Sequence, residues 1–177
     1  MRKLFTVLAL SVMAASLFSS CKSNSGASSG SDSTAAAMKR NVQTALHADS
    51  VLVNHDIDAY FKLCAPGYTE LGTMGDKPEA NIDSIKAEMK VFFGAYPDFK
   101  NEDIKAYASS EGVILTSTGS GTFKNPYLKM QPTGKAFKIF DADIFTFDKD
   151  GKITSHRSIV PESIYLKQVG VTLPDKK

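Results

Sequence analysis

The sequence predicts an α+β fold, an antiparallel sheet with helices packed on one face. Three observations carry this. Apolar residues between positions 39 and 96 recur at helical spacing. From 99 onward the chain turns to runs rich in β-branched and aromatic residues. Asp148-Lys149-Asp150-Gly151 then marks a tight hairpin between two of those runs, with Gly151 at the left-handed position. About 135 residues are enough to bury a single core.

In order along the chain, the first helix starts at Lys39, where Val42, Ala45, Leu46, Leu52 and Val53 share one face. Asn54-His55-Asp56 interrupts it, and Asp56 can cap a short second helix over 57–63. Ala65-Pro66-Gly67 ends that helix, and 68–71 reads as a short strand. A third helix is the clearest element: Ile82, Ile85, Met89, Phe92, Phe93 and Tyr96 step by three and four until Pro97 stops them. Strands follow over 99–108, 112–123, 135–147 and 152–160, with a Pro- and Gly-containing loop over 124–134. Pro161 opens a last short helix through Ile164, Leu166 and Val169, closed by Gly170.

The chain of 177 residues holds 21 Lys plus Arg, 19 Asp plus Glu, three His, two Cys and no Trp. Two Cys cannot staple a disulfide scaffold, and three His leave little for a zinc cluster. No basic stripe or arm points to nucleic acid. No phosphate-binding Gly-rich loop, serine nucleophile elbow or metal-ligand spacing is present, so neither a metal nor a cofactor is expected. Asp148-Lys149-Asp150-Gly151 lacks the later ligands of a calcium loop and is a turn. Cys64, at the end of an apolar run, reads as a small buried hydrophobe rather than a nucleophile.

The front end reads as an address. Met1-Arg2-Lys3 is followed by an uncharged run from Leu4 to Phe18, too short for an ordinary membrane span but suited to a secretory signal. Ser19-Ser20-Cys21 resembles a bacterial lipoprotein cleavage box, which implies a diacylglycerol on the Cys21 thiol, further acylation, and Cys21 as the first mature residue. Loss of Arg2 and Lys3 leaves nineteen basic and nineteen acidic residues. Residues 22–37 are Ser-, Gly- and Ala-rich, cannot bury a core, and read as a flexible tether. The expected plan is a signal peptide over 1–20, lipidated Cys21 and tether over 21–38, a folded domain over 39–172, and a tail over 173–177. The membrane is thus an expected partner, at the bacterial cell envelope. Lys22 rather than Asp after Cys21 leans to the outer membrane.

Five pieces stand in order: Phe92-Phe93, Pro97-Asp98, Pro132-Thr133-Gly134-Lys135, Asp143-Ile144-Phe145 and Asp150-Gly151-Lys152-Ile153. Together they resemble the SnoaL-like polyketide cyclase group of the nuclear transport factor 2-like superfamily, over residues 40–170. The resemblance implies a cone-shaped, curved antiparallel sheet packed on three helices and enclosing an apolar cavity. Tyr68, Phe92, Phe93, Tyr96, Phe140 and Phe145 would line or close such a space. It also implies ring closure by aldol condensation, which needs a base beside a carbonyl and a donor for the enolate oxygen. In the family that base is an Asp following a His-Trp pair on the last strand. The matching stretch is His156-Arg157-Ser158-Ile159-Val160, with Arg157 in place of Trp and Ser158 or Val160 where the carboxylate is expected.

That departure shifts attention to other polar residues. Asp141 and Asp143 share a strand face with Phe145, whereas Phe140, Ala142 and Ile144 form the more consistently apolar face. If Asp143 faces the cavity, burial makes it the best base. His156 is the second catalytic candidate, with an ordinary pKa near neutrality. An inward Arg157 would favour a weakly acidic ligand and could pair with Asp143. The leading expectation is a module binding a small, largely apolar or weakly acidic molecule; the alternatives are a cyclase or isomerase abstracting a proton next to a carbonyl, and a scaffold that forms a homodimer through its sheet.

Overall fold

Asp148 fixes the hairpin on which the sheet is built. Its carboxylate accepts from the backbone N–H of Asp150 and of Lys152, both at 2.9 Å, and Gly151 takes φ +81°. A side chain on Gly151 would also collide with the Arg40 guanidinium, which donates to the Lys149 carbonyl at 3.0 Å. The turn therefore both reverses the chain and seats the first helix.

The computed structural model describes residues 28–71 and 77–172. Its elements are α1 (Ser28–Val53), α2 (Ile57–Leu63), β1 (Cys64–Glu70), α3 (Ile82–Ala95), β2 (Lys100–Ala108), β3 (Val113–Thr122), β4 (Ala136–Phe147), β5 (Ile153–Ile159) and α4 (Glu162–Val169). The expected signal peptide over 1–20, Cys21 and the tail over 173–177 lie outside the described residues. Among those described, no helix is long and apolar enough to cross a membrane. The caps follow the expected chemistry. Asp56 accepts from the Ala59 N–H at 2.9 Å, Asn81 accepts from the Asp83 and Ser84 N–H groups, and Gly170 ends α4 at φ +71°.

Two elements differ from the sequence reading. α1 begins at Ser28, inside the stretch that composition marks as a tether. Ala35, Ala36 and Ala37 are strong helix formers and carry the helix back from Lys39. The second difference is in the sheet. Its order is β1-β5-β4-β3-β2, and every pairing is antiparallel except β1 with β5, which is parallel. No hairpin joins those two strands; α3, β2, β3 and β4 lie between them in sequence, which leaves the direction of the pairing free.

The curved, unclosed sheet carries two cores. Tyr60, Tyr68, Ile85, Leu115, Phe145 and Ile153 form one beneath α1 and α2. Tyr96, Phe123, Phe137, Ile139 and Val169 form the other beneath α3 and α4. Tyr68 and Tyr96 are thus packing residues rather than cavity walls, each wholly buried in its cluster. The strand register decides the rest. The inward side chains of β4 are Phe137, Ile139, Asp141 and Phe145, with Asp143 half-buried between them. Phe140 points the other way and is 65% exposed, so the face that looked more apolar in sequence is the outer one. Ile114, Tyr107 and Ile159 are exposed with it.

Gly112 opens β3 because nothing larger fits: a Cβ there would lie 2.3 Å from the Phe145 carbonyl oxygen. Gly112→Ala is expected to lower the unfolding free energy by about 1–3 kcal/mol, a drop of several degrees in Tm in a thermal melt. An unchanged melt would show that the β3–β4 pairing yields there.

Candidate functional site

The inward residues of β3 are Val113, Leu115, Ser117, Gly119 and Gly121, so bulk falls away along the strand. Facing groups use the space. A Cβ on Gly119 would sit 2.9 Å from Asp141 Oδ2, and one on Gly121 would sit 3.2 Å from the Phe137 ring. Beyond these contacts a cavity of about 770 Å³ remains between the sheet and the helices. That is within the usual size of a small-molecule site. Phe92, Phe93, Phe99, Phe137 and Phe145 line it, and the exposed residues Glu88, Leu128, Lys129 and Glu162 mark its open end.

A charged cluster sits in this apolar space. Register places Glu70 of β1 beside His156 of β5, and Asp143 of β4 beside Ser158 of β5. His156 Nδ1 lies 3.1 and 3.0 Å from the two Glu70 carboxylate oxygens, and Nε2 lies 3.2 Å from Asp143 Oδ1. Ser158 donates to the same Asp143 oxygen. Tyr68 donates to Glu70 at 2.6 Å, and the Tyr60 and Tyr68 hydroxyls are 2.9 Å apart, so α2 is linked to the cluster. The imidazole lies against the Phe145 ring, 4.7 Å between centroids. Burial disfavours the charged ring. The Glu70 carboxylate and the hydrogen bonds the ring donates to both partners more than offset that, and His156 is raised to about 10. At neutral pH it is an imidazolium between two carboxylates.

A second polar group lies nearby. Asn101 donates to Asp49 at 2.6 Å, and Ser117 donates to Asp141. Burial, with Asp143 and Asp49 close by, pushes Asp141 up to about 6. Burial also raises Asp49. Among the described residues, no cluster of three His, Cys, Asp or Glu side chains is placed to hold a metal ion.

Of the residues singled out in sequence, Asp143, His156, Ser158, Phe92, Phe93 and Phe145 all line the cavity. Arg157 does not. It alternates outward from His156, is exposed, and makes no pair with Asp143. Cys64 is half-buried, its thiol pushed up to about 12 by burial, which suits the packing role. Glu70, Asp49 and Asn101 are the residues the sequence reading missed as site groups. Tyr68 and Glu70 are two apart on a strand and so share a face, the one signal available for Glu70.

The model of the family described as SnoaL-like polyketide cyclase matches residues 42–169. This chain belongs to that family. Among curated proteins, none matches it. Several solved SnoaL-like structures resemble it in fold. A candidate SnoaL-like polyketide cyclase from Jannaschia Sp. CCS1 has a TM-score of 0.69 at 17% identity, over 77% of this chain and 95% of the other. AclR, a candidate hydroxylase from Streptomyces galilaeus, has a TM-score of 0.66 at 23% identity, over 77% and 99%. A phenazine biosynthesis-related protein from Pseudomonas aeruginosa has a TM-score of 0.66 at 16% identity, over 84% and 96%. At these identities the likeness is one of fold.

The charge on His156 is directly measurable. Its pKa is raised, so the stability it contributes is fully present below the unfolded value of about 6.5 and is lost as pH climbs through about 10. Ring-nitrogen NMR is expected to find an imidazolium at about pH 8, and Glu70→Gln to bring the titration down toward neutrality. A titration that Glu70→Gln leaves in place would refute the ion-pair account.

Proposed function

We propose that the domain is an enzyme of the cyclase or isomerase type, removing a proton from a carbon next to a carbonyl of a small, largely apolar substrate. One observation carries this: an imidazolium clamped between two carboxylates, on the inner wall of an apolar cavity in a cyclase-family fold. A module built only to hold an apolar molecule has no use for such a cluster, since buried charges cost several kcal/mol each to desolvate.

Charge bookkeeping gives the roles. Both contacts to Asp143 fall on Oδ1, and among the described residues Oδ2 accepts no hydrogen bond. Asp143 Oδ2 takes the proton from the α-carbon; the C–H electron pair moves into the Cα–C bond and the carbonyl pair onto oxygen. Asp143 becomes neutral as the enolate becomes negative. His156 thereby loses one anionic partner and gains another, its Nε2–H turning to the enolate oxygen. Glu70, held by Tyr68, keeps the ring charged throughout. The cavity's net charge is the same before and after, so no ion has to be solvated mid-reaction. The enolate carbon can then attack a second carbonyl of the same molecule, or be reprotonated at another position.

We also propose that residues 1–20 are a lipoprotein signal and that acylated Cys21 holds the domain at the bacterial cell envelope, on the outer membrane. The uncharged run ending in Ser19-Ser20-Cys21 supports this reading. Two or more acyl chains suffice for stable attachment, at ~0.8 kcal/mol per buried methylene.

Deuterium exchange at the α-carbon of a medium-chain β-keto ester, followed by NMR, tests the chemistry. Asp143→Asn is expected to slow exchange by about 10²- to 10⁴-fold while the fold is kept; exchange at the wild-type rate would remove Asp143 as the base. Separately, Cys21→Ala is expected to move the protein from the membrane to the soluble fraction. Unchanged partitioning, or a mature protein with no acyl mass, would overturn the anchor.

A further inference from the structure

The charges lining the cavity are lopsided. Asp49, Glu70, Glu88, Asp141, Asp143 and Glu162 are acids, and His156 and Lys129 are the bases. Lys129 stands exposed at the open end. His156 is taken up by Glu70 and Asp143. Arg157, the cation that would have welcomed an anion, faces outward.

Two of the acids and one amide converge from three elements. Asp49 comes from α1, Asn101 from β2 and Asp141 from β4. Asn101 Nδ2 donates to Asp49 Oδ1 at 2.6 Å. Asp141 Oδ2 and Asn101 Oδ1 approach one point over Gly119, lying 2.9 and 3.3 Å from where a Cβ would be. Asn101 Oδ1 is buried and accepts no hydrogen bond among the described residues. This end of the cavity thus offers carboxylates and an amide oxygen, all acceptors. Donors are spent internally: Ser117 on Asp141, and Asn101 Nδ2 on Asp49. Burial, with the Asp143 charge close to both, displaces Asp49 and Asp141 toward the protonated form.

We infer that the molecule this cavity takes carries a cationic, hydrogen-bond-donating head, an ammonium group on a small apolar frame, seated between Asp49 and Asp141. The inference rests on the cavity being the ligand site and deepens that reading. The apolar frame lies along Phe92, Phe93 and Phe137. The head supplies the donors that this end lacks and the counter-charge its carboxyls have no other source for. A carboxylate-bearing ligand of the same size meets like charge in a low-dielectric space and is rejected. The reacting carbonyl then falls at the other polar group, by Asp143 and His156. Asp141 and Asp143 stand two residues apart on one strand face, about 7 Å along the strand.

The test uses the folded domain as it exists and three probes differing only in the head: octylamine, octanoate and 1-octanol, with affinity read by calorimetry at neutral pH. Octylamine is expected to bind about tenfold or more tighter than octanoate, with octanol between them. Asp141→Asn and Asp49→Asn, each with a melting curve to show a kept fold, are expected to erase most of that preference. Equal affinity for the three probes, or tighter octanoate, overturns the ammonium assignment and leaves the chemistry at Asp143 standing. Binding of none of the three overturns the assignment together with the cavity reading. The Asp143→Asn exchange experiment fails or succeeds independently of this selectivity.

Discussion

A single imidazolium joins three strands. His156 of β5 reaches Glu70 on β1 with one ring nitrogen and Asp143 on β4 with the other. Neither contact can survive a slip of one residue, because register alternates side chains between the two faces of a sheet. The same alternation that points His156 inward points Arg157 outward, and it carries Asp141 and Asp143 in while turning Phe140 out. The position of the charge and the position of the hollow are therefore one constraint.

The hollow has its own cause in composition. A sheet with large inward residues on every strand would close against the helices. β3 instead supplies Ser117, Gly119 and Gly121 in sequence, and Phe92, Phe93, Phe99, Phe137 and Phe145 surround the cavity without filling it. Packing is restored on either side by two separate clusters, each with fully buried aromatic residues. Aromatic side chains thus do two jobs here. Tyr68 and Tyr96 carry the cores, while Phe92, Phe93 and Phe145 form the cavity wall.

Most elements could be read from the chain because local chemistry decides them: Asp56 caps a helix, Pro97 ends one, Gly151 makes a turn, and the steps of three and four from Ile82 name α3. The candidate pair Asp143 and His156 was also legible, through an acid on a strand face with Phe145 and a histidine on the return strand. What could not be read depends on long-range geometry. Hydrophobicity favoured the Phe140 face as the inner one, and only the pairing of β4 with its neighbours on both sides reverses that. Glu70 lies in a short strand whose partner is far away in sequence, and its parallel pairing has no turn to announce it. Asp49 and Asn101 come from a helix and an edge strand that share no local pattern. α1 started earlier than its apolar stripe, since alanines extend a helix without marking a face.

The Glu70–His156 contact spans 86 residues of chain. Loop closure of that length is among the last events a folding chain of this topology completes, because the entropy of bringing distant segments together must be met before the contact rewards it. Before the sheet closes, Glu70 and Asp143 are two separate, solvated acids on an open chain. Until β5 has docked, the cavity has no imidazolium between them. The last strand to join the sheet is the one that completes the buried ion cluster.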